Sequence, residues 1–198
     1  MNEQTALEEI SYIKKIIDDS RKTVIDNGLG YIIWGVLILL GLLSTYYIIV
    51  SKIPMTVPWN WIILIGGGWA YTIFNIIKHR QKKSSSTFAQ KILGSVWFSL
   101  GISATILGFL APASGAVSGV FISALISVVL GMAYFISGVL YSEKWVSLVA
   151  IGWWVGAIVM FYLPGMHVFL IMSLMIILLQ IIPGIILYSK FKKELAVK

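Results

Sequence analysis

Runs of about twenty apolar residues, parted by short polar stretches, set the rhythm of this chain. Six runs are long enough to cross the hydrocarbon core of a bilayer as helices. They cover roughly residues 29–50, 58–77, 92–110, 116–141, 145–163 and 167–189, and none holds Asp, Glu, Lys or Arg. The connections KIPMTVP, HRQKKSSST, APASG, SEK and PGM are short and rich in helix breakers. Joins that tight turn each span back beside the one before it. The predicted fold class is therefore an all-α membrane protein, a six-transmembrane-helix bundle over residues 28–198.

Ahead of the bundle, residues 1–27 predict a separate cytoplasmic amphipathic helix. Leu7, Ile10, Ile13, Ile17 and Val24 recur at helical spacing, and Lys14, Asp18 and Lys22 stand four apart on a polar face where they can pair. Asn27-Gly28 is a stop signal before the first span. Such a helix suits the inner membrane surface or a cytoplasmic docking partner. The start, MNEQTALEEISYIKK, lacks the basic, apolar and small-residue order of a removable signal peptide, so the first span is expected to be its own insertion signal.

Charge orients the bundle. Of the 15 Lys and Arg, all but Lys52 flank the same ends of the spans: Lys14, Lys15, Arg21 and Lys22 before the first, Lys78, Arg80, Lys82, Lys83 and Lys91 around the second connection, Lys144 in the fourth, and Lys190, Lys192, Lys193 and Lys198 after the last. That asymmetry puts both termini in the cytoplasm, N-in and C-in. The formal charge of +7 is thus explained by topology, and nucleic acid is not an expected partner. With 59% apolar and 12% charged residues, the composition lies far from that of soluble domains. The absence of cysteine removes disulfides and thiolate chemistry.

Small residues form the clearest internal pattern. Gly115, Gly119, Ser123, Ser127 and Gly131 recur every four residues along the fourth span, answered by Ser95, Ser99 and Ser103 in the third. Small-xxx-small ridges let helix backbones approach closely in lipid, so these two spans are expected to be the tightest pair. A shift of 63 residues lays Trp34 on Trp97 and GWAYTI, from Gly68, on GMAYFI, from Gly131. LYSEK at 140–144 is echoed by LYSKF at 187–191, which suggests three helical-hairpin repeats. The triplet Gly66-Gly67-Gly68 lies inside a span, where its N–H groups are already bonded, so it reads as a landing place for a helix or a ring such as Trp34 or Trp97.

Chemistry-bearing side chains are few. Asn75 and Gln180 are amides within spans, and a buried amide in lipid must find a partner. Pro183-Gly184 follows Gln180 and should free a carbonyl near residue 179, making a polar spot beside it. Trp34, Trp69 and Trp97 could frame an apolar ligand against Gln180 and Pro183, although large rings also fill the gaps that glycines leave. The candidate ligand-binding set is therefore Trp34, Trp69, Asn75, Trp97, Gln180 and Pro183, and the helix-packing set is Gly68, Gly115, Gly119, Ser123, Ser127, Gly131, Ser95, Ser99 and Ser103. His79 and His167 fall on opposite sides of the bilayer, and no span holds a carboxylate or a base to activate serine. Neither a metal nor a cofactor nor a catalytic residue is expected.

The start GLGYIIWGVLILLG and the closing LQIIPGIILYSK, together with the amphipathic N-terminal segment, resemble a family of uncharacterised bacterial six-span inner-membrane proteins. That family has a GxxYxxWG-like first span and IIPG in the last. The resemblance implies the same architecture and a cytoplasmic (inner) membrane location, and implies no activity for any residue. The expected function is that of a non-enzymatic regulatory, accessory or scaffold protein working through helix–helix contacts. Its expected partners are the lipid bilayer, a membrane or cytoplasmic protein, or a second copy in a homo-oligomer. The alternatives are an uncoupled small-solute or lipid transporter, lined by Ser95, Ser99, Ser103, Asn75 and Gln180, and a receptor for an apolar ligand.

Overall fold

A computed structural model describes residues 8–12, 14, 28–53, 57–81 and 88–196. The six apolar runs all form helices long enough to cross a membrane, and no strand occurs among the described residues. We label them α1 (Leu29–Val50), α2 (Val57–Gln81), α3 (Phe88–Thr105, continued to Ala113), α4 (Ile122–Tyr141), α5 (Lys144–Tyr162) and α6 (His167–Ile176, continued to Ala196). Of the N-terminal amphipathic segment, residues 8–12 and 14 are helical and exposed. Its Leu7, Ile13, Ile17 and Val24, and the proposed pairing of Lys14, Asp18 and Lys22, lie wholly or partly outside the described residues.

Helix ends depart from the apolar runs for local reasons. Polar residues that favour helix carry α2 through Lys78 to Gln81, beyond the apolar stretch. The fourth span starts later than its letters suggest, because Gly115 takes a φ of 77° and Ser118 is extended, so α4 begins only after a short 3-10 turn at Gly119–Phe121. Two of the ends are closed by left-handed residues. Lys52 and Ser142 have φ near 50° and 55° and cap α1 and α4, with Ile53 N–H bonded to the Ile48 carbonyl and Glu143 N–H to the Gly138 carbonyl.

Two helices carry a π-helical turn, at Ile106–Leu110 in α3 and Ile177–Ile181 in α6. Each turn ends two residues before a proline, Pro112 and Pro183. A proline inside a helix donates no backbone bond, and its ring crowds the carbonyl four residues back. Widening the preceding turn, so that Ala111 N–H reaches the Ile106 carbonyl and Ile182 N–H the Ile177 carbonyl, makes room for the ring without ending the helix. Both spans thereby stay continuous.

The broadest helix pair is α4 with α5. A Cβ on Gly138 would collide with the Ser147 backbone, and one on Gly131 with the Trp154 indole, so α5 lies directly on the α4 backbone. This corrects the sequence expectation that α3 and α4 form the tightest pair. Gly115 and Gly119 precede α4 and are exposed, and Ser95 and Ser99 of α3 face outward, so the two small ridges never mesh. Helix α6 closes the bundle against α1, where Gly28 meets the backbone of Gly184 and Tyr188 and where Gly35 lies under Ile181. The core between α1, α4, α5 and α6 holds Tyr134, Trp153, Met160, Ile176, Val146 and Val168, all fully buried. Of the most apolar window in each span, 39% of residues are buried in α4 and 44% in α6, but 6% in α2 and 6% in α3.

Candidate functional site

Tryptophans connect the first four helices in a chain of similar clasps. The Trp34 indole of α1 donates to Thr72 Oγ1 of α2 over 3.1 Å, and its ring lies on Gly68, where an added Cβ would stand 2.8 Å from Cη2. One helix on, Trp69 of α2 donates to Thr105 Oγ1 of α3 at 3.3 Å while its ring covers Gly101. Trp97 of α3 then donates to Ser137 Oγ of α4 at 3.1 Å. Each accepting hydroxyl passes its own proton to the carbonyl four residues back: Thr72 to Gly68, Thr105 to Gly101 and Ser137 to Ala133. The lone pair facing the indole is thereby left free to accept.

The local sequence explains the form. A small residue followed four positions later by Thr or Ser puts bare backbone and a hydroxyl on one helix face, one turn apart. A flat ring can lie on the first and bond to the second. The indole N–H, costly to leave unpaired in lipid, is satisfied in the same act. Of the residues involved, Thr72, Thr105 and Ser137 were not singled out from sequence. The signal was available, in Gly68-xxx-Thr72, Gly101-xxx-Thr105 and Ala133-xxx-Ser137.

Behind the clasps lies an aromatic cluster. Tyr31 and Trp97 meet edge to face at 4.6 Å, Trp97 and Tyr134 at 5.4 Å, and Tyr134 stacks on Trp153 at 6.1 Å. Gln180, in the π-helical turn of α6, is buried and donates its amide to the Tyr31 carbonyl across 3.3 Å. In the polar spot expected from Gln180 and a carbonyl freed by Pro183, the Gln180 amide is spent on this cross-helix bond, while Leu179 packs its side chain on Gly152 of α5. Among the described residues, the buried Trp153 Nε1 and Thr45 Oγ1 have no hydrogen-bond partner.

The six candidate ligand residues therefore divide. Trp34 and Trp69 touch at 6.0 Å, and Trp97 and Gln180 are joined through Tyr31. Pro183 is buried near the α1–α6 contact, whereas Asn75 is half-buried and makes no hydrogen bond among the described residues. In the packing set, Gly68, Ser123, Ser127 and Gly131 are buried, and Ser127 donates to the Ser123 carbonyl. Ser103 is half-buried. Gly68 and Gly131 both lie under an indole, but from different sides: Trp34 of the preceding helix covers the first, and Trp154 of the following helix covers the second.

A groove of about 490 Å³ opens between α3 and α4 beside the Trp97 clasp, with Lys91 at one end, Ser95 and Ser99 along its wall and Ala133, whose carbonyl accepts from Ser137, in its lining. No group of His, Asp or Glu among the described residues could hold a metal ion. The His79 side chain lies outside the described residues, and His167 is exposed at the start of α6. Compared with protein-family models, curated proteins and solved structures, the chain matches none.

Proposed function

We propose that this multi-pass membrane protein is a non-enzymatic accessory or regulatory subunit that receives a transmembrane helix of a partner protein along α2. One observation carries the reading: α2 is held to α1 through Asn60, Trp61, Gly68 and Thr72 and to α3 through Trp69, while the strip at Gly66 and Gly67 is bare. Gly66 and Gly67 have nothing within 4 Å of where a Cβ would be, and Ala70 beside them is exposed. Large apolar neighbours, Ile63 at 68% and Phe74 at 63% exposure, flank the bare strip. Bare backbone between large side chains is the form that close helix packing in lipid takes. The family resemblance and the basic bias of the connections support a bacterial cytoplasmic membrane with both termini inside. The offset of 63 that relates Lys52 to Gly115, both at positive φ after α1 and α3, and Trp34 to Trp97 supports a hairpin repeat in the first four spans, though the hydroxyls these indoles bond, Thr72 and Ser137, stand outside that register.

The two other readings fit the geometry less well. A solute path needs its polar side chains on one lumen, but Ser95 and Ser99 face outward and Gln180 is bonded within the core. A receptor for an apolar ligand among Trp34, Trp69 and Trp97 needs space that glycine backbone and neighbouring rings already occupy. The test places a photo-crosslinking residue at Ile63 in native membranes, with Leu148 of α5, 62% exposed, as a lipid-facing comparison. A protein adduct of one defined mass is expected at 63 alone, and it should be lost when Gly66→Leu and Gly67→Leu fill the strip. Lipid adducts at both positions would overturn the proposal.

A further inference from the structure

The groove between α3 and α4 shares Ala133 with the Trp97 clasp and lies apart from the bare strip of α2. On α3, Lys91, Ser95 and Ser99 stand four apart in one line, and the facing wall is Met132 and Ile136 of α4, with buried Ala133 as the floor. From Lys91 to Ser99 the helix rises about 12 Å, the extent of roughly ten methylenes of an acyl chain. Lys91 is the one charged residue in the lining, and no acidic side chain lines the groove to neutralise it. Ser95 donates its hydroxyl proton to the Lys91 carbonyl, so the wall presents no unspent donor beside the chain path at that level.

The depth of the charge matters. Lys91 lies in the first turn of α3, at the end of the bundle where Tyr141 and Trp145 bracket the α4–α5 turn, and such rings favour the headgroup layer. An ammonium at that depth meets lipid phosphates. We propose that the groove holds one acyl chain of an anionic phospholipid, whose phosphate pairs with Lys91. A second copy of the chain is the poorer occupant. Copies related by a two-fold axis along the membrane normal would bring their Lys91 side chains to the same depth and set like charges against each other.

The full chain, purified in a neutral detergent and offered equal phosphatidylglycerol and phosphatidylcholine, would be examined by native mass spectrometry for retained lipid. Wild type should retain phosphatidylglycerol about five-fold over phosphatidylcholine, the preference that one lysine near a bilayer surface confers. Lys91→Gln should abolish the preference, and Ser95→Phe, which fills the groove, should lower retention of both lipids. Lys78→Gln, an exposed change on α2, should leave the preference as it is. An unchanged preference in Lys91→Gln, undiminished retention in Ser95→Phe, or a dimer mass that Ser95→Phe abolishes would each overturn the proposal. Lys91 is exposed and Ser95 faces out, and a helical circular dichroism spectrum in each variant establishes that lost retention is not lost fold.

Discussion

The pair α4–α5 and the flank formed by α2 and α3 are built from the same residue types, yet one is the centre of the molecule and the other its edge. In α4, Gly131 and Gly138 have a side chain or backbone of α5 pressed against them, and Tyr134 between them is fully buried. In the flank, Gly66, Gly67, Gly94 and Gly108 have nothing within 4 Å, and among the described residues α3 is held to α2 through Trp69, which meets Gly101, Thr105 and the Phe98 ring. Small residues alone therefore do not make an interface. They make one where a large side chain or a second backbone arrives at the same depth.

The largest effect expected from breaking this contrast is at its centre. Trp153→Ala removes a fully buried ring that stacks on Tyr134 and should cost about 3–5 kcal/mol in a reversible unfolding titration in mixed micelles. Trp153→Phe should cost far less. It keeps most of the ring and deletes an indole N–H that has no acceptor among the described residues, so part of the packing loss is offset. Equal losses in the two variants would show that the indole N–H is bonded after all.

One substitution, Gly→Ala, applied at three positions grades the same contrast. At Gly138 the new methyl meets the Ser147 backbone, which cannot swing aside, and a loss of about 1–3 kcal/mol is expected. At Gly68 it meets the edge of the Trp34 ring, which can yield by tilting, so the loss should be smaller. At Gly67 it meets nothing, and the higher helix propensity of alanine should leave stability unchanged or raised by up to about 1 kcal/mol. The order 138, 68, 67 is the prediction. A loss at Gly67 as large as at Gly138 would mean the flank is covered in the membrane by something that survives purification.

The clasps come next in size. Trp34→Phe and Thr72→Val each remove one side of a hydrogen bond of 3.1 Å, and a double-mutant cycle should return about 0.6 kcal/mol, with about 2 as the ceiling found for such bonds in membranes. The cycle for Trp69 and Thr105, at 3.3 Å on the thinner contact, should return no more than that. A coupling near zero at both would mean that the rings hold the helices by contact alone.

Much of the fold was legible in the letters, because apolar length and breakers dictate which segments span. The helix bounds of α1 match the apolar run throughout, Leu29 to Val50. What could not be read was azimuth. The ridge of small residues in the fourth span names one helix face, but only the bundle decides which neighbour meets that face. Here α5, dropped onto α4 by the left-handed turn at Ser142, meets it at Gly131 and α6 meets it at Ser127 through Met172, while Gly115 and Gly119 fall before the helix begins. The tryptophans were legible as gap-fillers; of the two rings set against the glycine triplet, Trp34 lies on Gly68, whereas Trp97 reaches α4 instead. Their acceptors were missed because a hydroxyl in a helix usually bonds its own backbone, and these do that too, leaving the second bond invisible without the neighbouring helix.

The smallest effect expected is at the edge of the strong half. Lys190 of α6 pairs with Glu143 Oε1 in the α4–α5 turn at 2.9 Å, with side chains 47% and 38% exposed, and also lies over the Trp145 ring at 5.6 Å. Exposed pairs of this kind contribute between about 0 and 1 kcal/mol and weaken as salt screens them. Glu143→Gln should therefore cost less than either clasp variant, and the cost should vanish in high salt. Lys190→Met should lose slightly more at high salt than Glu143→Gln, since it also gives up the ammonium's contact with the indole face while keeping an apolar stem. If Glu143→Gln instead rivals Gly138→Ala, the turn is what holds α5 on α4, and the glycine backbone contacts are its consequence. The expected result assigns causation the other way. The helices meet because Gly131 and Gly138 let them, and the ion pair only ties α6 to an interface that already exists.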